Sequence, residues 1–220
     1  MKAYCISGIG ANEKVFHQLT LNFDYIPIKW VPTDNSETLQ DYAKKLCGQV
    51  DTSEEFVLIG VSYGGMLATE MNNFIHPVKT ILISSTATRQ ELPAILRFLG
   101  RIKIINIVPS FFFTAPPFLI FWIFGINTEE GKRLITEIIE GTDKSFTKRS
   151  VKKILEWTNK EIAPNTIRIH GTKDLLLPAP KSALFIEVKN AGHFMIGIRK
   201  GEISKILNKE MAQLGVQTPL

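Results

Sequence analysis

The segment Gly60–Gly64, Gly-Val-Ser-Tyr-Gly, carries a serine with a glycine two residues away on each side. The apolar run Phe56–Val61 ends on this segment and a helix-forming stretch follows it, which predicts a sharp strand-to-helix turn at Ser62. Such a turn forces the serine into a strained conformation, and the glycines remove Cβ atoms that would collide there. The bare pattern is common in proteins, but in this context it predicts a nucleophilic hydroxyl.

A serine hydroxyl is a poor nucleophile unless a base takes its proton and a carboxylate orients that base. Both partners follow Ser62 in the chain. Asp174 comes four residues after the predicted strand Thr166–His170, and His193 comes four residues after the predicted strand Leu184–Lys189. We therefore expect all three side chains at the carboxyl ends of parallel strands, where they could carry out acyl transfer.

The order serine, aspartate, histidine, each after a different strand, resembles the α/β-hydrolase fold family over essentially the whole chain. The resemblance implies that Ser62 is the nucleophile, that His193 is the general base and then the acid, and that Asp174 orients the imidazole. It also implies an oxyanion hole made by the backbone N–H groups of Tyr63 and Ile9. The expected activity is that of a serine hydrolase that cleaves a carboxylic ester or thioester through an acyl-enzyme, without a cofactor or metal.

Two departures from the family pattern stand out. The loop after the first strand has Ser7-Gly8 where family members commonly have His-Gly, so its supporting hydrogen bonds are expected to differ. The first predicted strand leads directly into this loop, as if the two opening strands of the family were missing. Pro27 lies inside the next strand, and proline is tolerated chiefly at a sheet edge. We therefore expect that strand to be the edge.

Alternating short apolar runs and amphipathic stretches predict an α/β fold with a mostly parallel sheet of about six strands, flanked by helices. The alternation lapses over residues 89–159, which predicts a helical cap inserted into a hydrolase core of residues 1–88 and 160–220. The predicted strands are Lys2–Ser7, Tyr25–Val31, Phe56–Val61, Val78–Ser84, Thr166–His170 and Leu184–Lys189. One predicted helix is capped by Ser36, and a second covers Gly64 to Ile75. A third starts at Asn127, with Glu130 three residues later in a capping box.

The longest charge-free run, Ile104–Ile126, has the length of a membrane span. Pro109, Pro116 and Pro117 deny it a continuous helix, so we interpret it as a broken apolar lid, with membrane contact through the cap the less favoured alternative. Its apolar residues suggest a substrate with an apolar acyl part, although most of them are expected to form the core of the cap. They include Phe111, Phe112, Phe113, Phe118, Phe121, Trp122 and Phe124.

The amino-acid composition indicates the domain organisation, the cellular compartment and the type of partner. At 220 residues and 45% hydrophobic content the chain is expected to fold as one large domain, and disorder is excluded. Two cysteines, Cys5 and Cys47, favour a reducing cytoplasm over a disulfide scaffold. The net charge of +5 arises after residue 88 and is unaccompanied by a nucleic-acid recognition motif, so we expect a small-molecule partner rather than nucleic acid. The sequence carries no signal for oligomeric state.

Other functions are compatible with parts of the pattern. A cofactorless acyltransferase or perhydrolase would use the same three side chains and differ only in the second acceptor. A non-catalytic binding protein on the same fold is a further alternative, because a fold alone does not guarantee chemistry. A dinucleotide site at Gly8-Ile9-Gly10 is disfavoured because Glu13 stands where the third glycine belongs. His17, His76 and His170 lack a partner pattern and are interpreted as structural.

Overall fold

The computed structural model describes residues 1–103, 105, 117–180 and 184–215. The strands are β1 (Lys2–Ile6), β2 (Tyr25–Pro27), β3 (Phe56–Val61), β4 (Lys79–Ile83), β5 (Thr166–Gly171) and β6 (Ile186–Val188). The helices are α1 (Lys14–His17), α2 (Leu39–Cys47), α3 (Tyr63–Met71), α4 (Ala94–Arg101), α5 (Pro117–Phe124), α6 (Glu129–Glu140), α7 (Lys144–Leu155), α8 (Met195–Ile198) and α9 (Lys200–Ala212). A short 3₁₀ turn, Arg89–Glu91, precedes α4.

The strands form one sheet in the order β2-β1-β3-β4-β5-β6, and every neighbouring pair is parallel. This confirms the predicted α/β class with a parallel sheet of six strands. All six residues of β3 are buried, because helices cover both faces of the sheet. The carboxyl ends of all strands meet at one edge, so the loops after β1, β3, β5 and β6 are neighbours.

Two apolar layers, one on each face of the sheet, hold the helices against it. Successive strand residues point to opposite faces, so Leu58 and Ile59 of β3 belong to different buried clusters. Leu58 packs in the layer that contains α2 and α3, whereas Ile59 packs in the layer that contains α1, α8 and α9. Every residue of α3 is buried, which fixes the helix that follows Ser62 rigidly on the sheet.

The edge strand is shorter than the sequence predicts. β2 pairs only with β1 and ends at Pro27, whereas the predicted strand ran to Val31. Pro27 lies on the edge strand, as predicted, because a residue without an N–H cannot continue pairing on both sides. The chain therefore leaves the sheet early, and Trp30 stands in the connection between β2 and α2.

Between the turn at residues 89–91 and β5, the described residues contribute α4, α5, α6 and α7 and no strand. Helices α4 and α7 touch so closely that a Cβ on Gly100 would collide with the backbone of Leu155. The division into a core and a cap stays a prediction. The predicted lid residues Pro109, Pro116 and 111–113 lie outside the described residues. In the parts of the chain that are described, no helix combines the length and the apolarity needed to cross a membrane.

Helix α2 begins two residues later than predicted. Thr38, not Ser36, is its N-cap: the Thr38 side chain accepts the N–H of Asp41, and the Asp41 carboxylate accepts the N–H of Thr38. The Ser36 hydroxyl instead donates to the Asp34 carboxylate at 2.6 Å and stabilises the preceding loop. Of these two residues, only Thr38 is followed by an acidic residue at the third helical position.

Two other helix starts also differ from the prediction. Thr128, rather than Asn127, caps α6 by accepting the N–H of Gly131, and Gly141 is the C-cap of this helix. Helix α3 covers Tyr63–Met71 and is shorter than the predicted 64–75. Helix ends depend on which side-chain oxygen reaches the free N–H groups, so neighbouring Asn and Thr residues compete for the same role.

The two candidate caps of α2 differ in what their removal should cost. We expect Thr38→Ala to lower the free energy of unfolding by about 1 kcal/mol, because it removes the hydroxyl that satisfies a free helix N–H. Ser36→Ala should stay within about 0.5 kcal/mol of wild type, since its hydrogen bond is exposed. Urea denaturation of both variants measures the difference, and equal losses would contradict the assignment of the cap.

Candidate active site

Ser62 occupies the turn between β3 and α3 in a strained backbone conformation. Its φ of 53° and ψ of −118° place a non-glycine residue in a region that L-residues rarely adopt. Hydrogen bonds to its backbone secure it: the Ser62 N–H donates to Ile83 O at 2.9 Å, and Ser62 O accepts the Gly65 N–H at 2.9 Å and the Ser85 hydroxyl at 2.6 Å. The turn predicted from the sequence is therefore present.

The glycines on either side of Ser62 are required by close backbone contacts. A Cβ on Gly60 would collide with the backbone of Gly64 and Gly65. A Cβ on Gly64 would collide with the carbonyl oxygens of Ile6 and Ser7, at the end of β1. Helix α3 can therefore start directly above the sheet, with the serine at the top of the turn.

The structure brings the three predicted side chains together. His193 Nε2 lies 2.9 Å from Ser62 Oγ, and His193 Nδ1 lies 2.8 Å from Asp174 Oδ2. Asp174 and His193 are buried, and Ser62 is partly exposed. A hydroxyl, an imidazole and a carboxylate in this sequence of contacts can pass a proton away from the serine oxygen and return it.

Asp174 is fixed by its own loop as well as by His193. Its Oδ1 accepts the N–H groups of Leu176 at 3.0 Å and Leu177 at 2.9 Å, which leaves Oδ2 for the imidazole. Burial favours the neutral acid, but the neighbouring His193 and the hydrogen bonds outweigh it and lower the pKa of the Asp174 carboxyl to about 2. The carboxylate is therefore ionised at neutral pH.

A second histidine contacts Asp174, and sequence analysis missed this contact. His170 is buried at the end of β5, and its Nε2–H donates to Leu177 O at 2.7 Å. The same nitrogen lies 3.4 Å from Asp174 Oδ2. His170 thus ties both ends of the loop that presents Asp174. The signal available in the sequence was its position four residues before Asp174, immediately before Gly171.

The loop after β1 lies directly beside Ser62. Gly8 is buried, and a Cβ placed on it would lie 3.4 Å from the Ser62 Cβ. Ile9 is the next residue, and Tyr63 is the first residue of α3, so the Tyr63 N–H has no acceptor within its helix. The structure thus places the two predicted N–H donors on the two segments that flank Ser62.

Helix α5 reaches the loop that carries His193. The Phe124 ring meets the His193 ring edge to face, with ring centroids 5.1 Å apart. The Phe194 N–H donates to Phe124 O at 3.2 Å, and Gly125 and Gly192 are so close that neither has room for a Cβ. Part of residues 89–159 therefore packs against the histidine and adds an apolar wall to the site.

Within the described ranges, no group of three or more His, Cys, Asp or Glu side chains is arranged to hold a metal ion. The carboxyl edge of the sheet presents a hydroxyl, an imidazole, a carboxylate and backbone N–H groups. Together they can activate a nucleophile and stabilise a developing oxyanion.

Comparison of the structure with solved structures finds α/β-hydrolases throughout. A thermophilic esterase from Thermogutta terrifontis superposes with a TM-score of 0.71 at 13% identity, covering 97% of this chain and 90% of that one. A lipase-esterase related protein from Clostridium acetobutylicum gives 0.67 at 13% identity, covering 94% and 93%. A meta-cleavage product hydrolase from Pseudomonas fluorescens gives 0.66 at 15% identity, covering 97% and 91%. The protein has the α/β-hydrolase fold.

No family model matches the sequence, and no curated protein matches it. At 13 to 15% identity, the three structures show the fold of this chain and not its function.

The close contact at Gly60 predicts a large cost for a single methyl group. Gly60→Ala should lower the free energy of unfolding by about 2–3 kcal/mol or more, because the backbone around Ser62 has to move. Gly48→Ala is the matched control: Gly48 has φ −63° and its Cβ would meet nothing closer than 3.5 Å. That change should be neutral or stabilising by up to about 1 kcal/mol. Similar denaturation midpoints for the two variants would contradict the close contact of Gly60 with the backbone of Gly64 and Gly65.

The pKa of Asp174 predicts how stability changes in acid. A carboxyl whose folded pKa is about 2, below its ordinary 3.8, stabilises the fold above about pH 4, and this contribution is lost as the pH falls toward 2. The stability difference between wild type and Asp174→Asn should therefore shrink by about 2 kcal/mol between pH 5 and pH 2. Denaturant titrations at several pH values measure it, with Asp24→Asn as an exposed-carboxylate control. A constant difference would contradict the lowered pKa.

Proposed function

We propose that the protein is a serine hydrolase that cleaves a carboxylic ester or thioester through an acyl-enzyme intermediate. The observation that carries the proposal is the unbroken run of contacts from Ser62 Oγ to His193 at 2.9 Å and from His193 to Asp174 at 2.8 Å. The strained turn at Ser62 gives a second reason, because such strain persists where the surrounding structure enforces it and is concentrated at functional sites.

In the acylation step, Ser62 Oγ attacks the carbonyl carbon of the substrate and its proton passes to His193 Nε2. The carbonyl oxygen becomes an oxyanion, which the N–H groups of Ile9 and Tyr63 stabilise. When the tetrahedral intermediate collapses, the bond to the alcohol or thiol breaks and His193 Nε2 gives its proton to that leaving group. Asp174 holds the Nδ1–H throughout and stabilises the imidazolium.

In the deacylation step, water replaces the departed alcohol or thiol. His193 Nε2 takes a proton from the water as its oxygen attacks the acyl carbon, and the same two N–H groups stabilise the second oxyanion. The bond from the acyl carbon to Ser62 Oγ then breaks, the proton returns to Oγ, and the carboxylic acid leaves. The balanced reaction consumes one ester or thioester and one water.

The environment of His193 supports an apolar acyl part in the substrate. Phe124 lies against the imidazole, and the helix that carries it, α5, contains no charged residue. We propose that residues 89–159 act as a cap over a core of residues 1–88 and 160–220. The names of the neighbouring structures, a thermophilic esterase and a meta-cleavage product hydrolase among them, support hydrolysis as the general reaction.

The proposal predicts a single reactive serine. Incubation with a fluorophosphonate should add one phosphonyl group to the wild-type protein, and peptide mapping should place it on Ser62. Ser62→Ala should remove the adduct and lower kcat/KM for p-nitrophenyl butyrate by roughly 10⁴-fold or more. Ser145→Ala, an exposed serine on α7, is the matched control and should label and turn over like wild type.

The labelling experiment can either support or refute the assignment of Ser62 as the nucleophile. A folded wild-type protein with no adduct, or an adduct that persists in Ser62→Ala, would refute the nucleophile assignment. Adduct formation with turnover of p-nitrophenyl esters would then justify a panel of esters and thioesters of graded acyl length, and added alcohol would show whether water or another acceptor takes the acyl group.

A further inference from the structure

Trp30 is linked to the loop after β1 by its indole N–H. The side chain is half-buried in the connection between β2 and α2, and Nε1–H donates to Ala11 O at 2.9 Å. The Ser7 hydroxyl donates to the same carbonyl oxygen at 2.9 Å. A carbonyl oxygen has two lone pairs, so these two donors use its full capacity.

The carbonyl that Trp30 holds belongs to a residue that closes the turn around Ile9. The Ala11 N–H donates to Gly8 O at 3.1 Å, so Gly8, Ile9 and Gly10 form a turn whose far end is Ala11. Gly8 in turn lies against Ser62. Fixing Ala11 therefore limits how far the Ile9 N–H can move relative to the nucleophile.

The other side of the indole contacts Tyr63, whose N–H is the second predicted donor of the oxyanion hole. The centroids of the Trp30 and Tyr63 rings are 6.0 Å apart, and Trp30 is also 5.4 Å from Phe146 of α7 and 6.5 Å from Tyr42 of α2. Tyr63 directly follows Ser62 and is buried. One side chain therefore touches both segments whose N–H groups flank the serine.

We propose that Trp30 is a positioning residue for the oxyanion hole. It sets the distance between the Ile9 and Tyr63 N–H groups through the hydrogen bond to Ala11 on one side and the ring contact with Tyr63 on the other. The inference rests on the proposed function, but it adds a residue that neither the motifs nor the serine, histidine and aspartate contacts identify.

The effect of Trp30 should appear in the transition state and not in substrate binding. An oxyanion hole works because its donors are already in place when charge develops, and removal of one donor costs about 10²–10³-fold in kcat. Loss of a support should cost less, because the Ser7 hydroxyl still holds Ala11 O. Small displacements nevertheless matter at a reacting centre.

The test is Trp30→Phe, which keeps an aromatic ring beside Tyr63 and removes the N–H. We expect kcat for p-nitrophenyl butyrate to fall about tenfold with KM unchanged. Rates are divided by the concentration of active sites, determined by complete labelling with a fluorophosphonate, so that misfolded protein does not contribute. If Trp30→Phe does not fold, β-(3-benzothienyl)alanine at position 30 removes the N–H while it preserves the shape of the indole.

A pair of inhibitors separates positioning from general damage. An octyl trifluoromethyl ketone forms a tetrahedral oxyanion on an activated serine, whereas the corresponding methyl ketone binds without it. In Trp30→Phe, affinity for the trifluoromethyl ketone should fall by the same factor as kcat/KM, and affinity for the methyl ketone should stay the same. The pH dependence of kcat/KM should also be unchanged, since Trp30 is not proposed to act on His193.

Two further variants complete the design. Tyr42→Phe removes both hydrogen bonds between the Tyr42 hydroxyl and the backbone of Val31, beside Trp30, but it keeps the ring and does not touch the loop after β1. It should lower the stability and leave kcat unchanged. Ser7→Ala removes the other donor to Ala11 O and should lower kcat with the same inhibitor signature as Trp30→Phe. In the double variant the losses should be non-additive, because both donors act on one carbonyl.

Each outcome bears on a distinct claim. If wild type is not labelled on Ser62, the proposed function fails first. If wild type is labelled and active but Trp30→Phe keeps its kcat per active site, or loses affinity for both ketones equally, the positioning role of Trp30 is refuted. The role is supported if kcat and the affinity for the trifluoromethyl ketone fall by the same factor while the affinity for the methyl ketone stays unchanged.

Discussion

The strained backbone of Ser62 is the constraint on which the rest of the site depends. A serine with φ of 53° costs on the order of 1–3 kcal/mol, so it persists only where its surroundings leave no alternative. Here the N–H of Ser62 is fixed by β4, its carbonyl is fixed by Ser85, and α3 is buried over its whole length. The glycines at 60 and 64 provide the close approach, and the two apolar layers provide the energy that offsets the strain.

The order of strands decides which residues can meet Ser62. β1 and β3 are neighbours, so the loop after β1 lies beside the turn after β3. β5 and β6 are neighbours, so Asp174 and His193 meet at the far side of β4. β4 stands between the two pairs, and the loop after it contributes the hydroxyl of Ser85 to Ser62 O. His193 then spans this gap to reach a serine 131 residues away in the chain.

The strands and the candidate site residues Ser62, Asp174 and His193 could be predicted because their signals in the sequence are local. A buried strand, a glycine-flanked serine and a loop histidine each occupy a few consecutive residues. The sequence did not predict the contact of His170 with Asp174, or that of Phe124 with His193, because those contacts depend on how separate segments pack. The cap of α2 was misplaced by two residues for a related reason: Ser36 and Thr38 both fit locally, and the geometry of Asp41 selects between them.

The departure at Ser7 and the early end of β2 have a common consequence. With Ser7 beside Gly8, the loop after β1 is supported by a serine hydroxyl that donates to Ala11 O. Because β2 ends at Pro27, the chain leaves the sheet early enough for Trp30 to lie over the same loop and supply the second donor. Thr142, between α6 and α7, has its hydroxyl 3.0 Å from Gly10 O on the other side. The loop is therefore held from three directions: by Ser7 at the end of β1, by Trp30 in the connection between β2 and α2, and by Thr142 between α6 and α7. The position of the turn that contains Ile9 depends on all three segments.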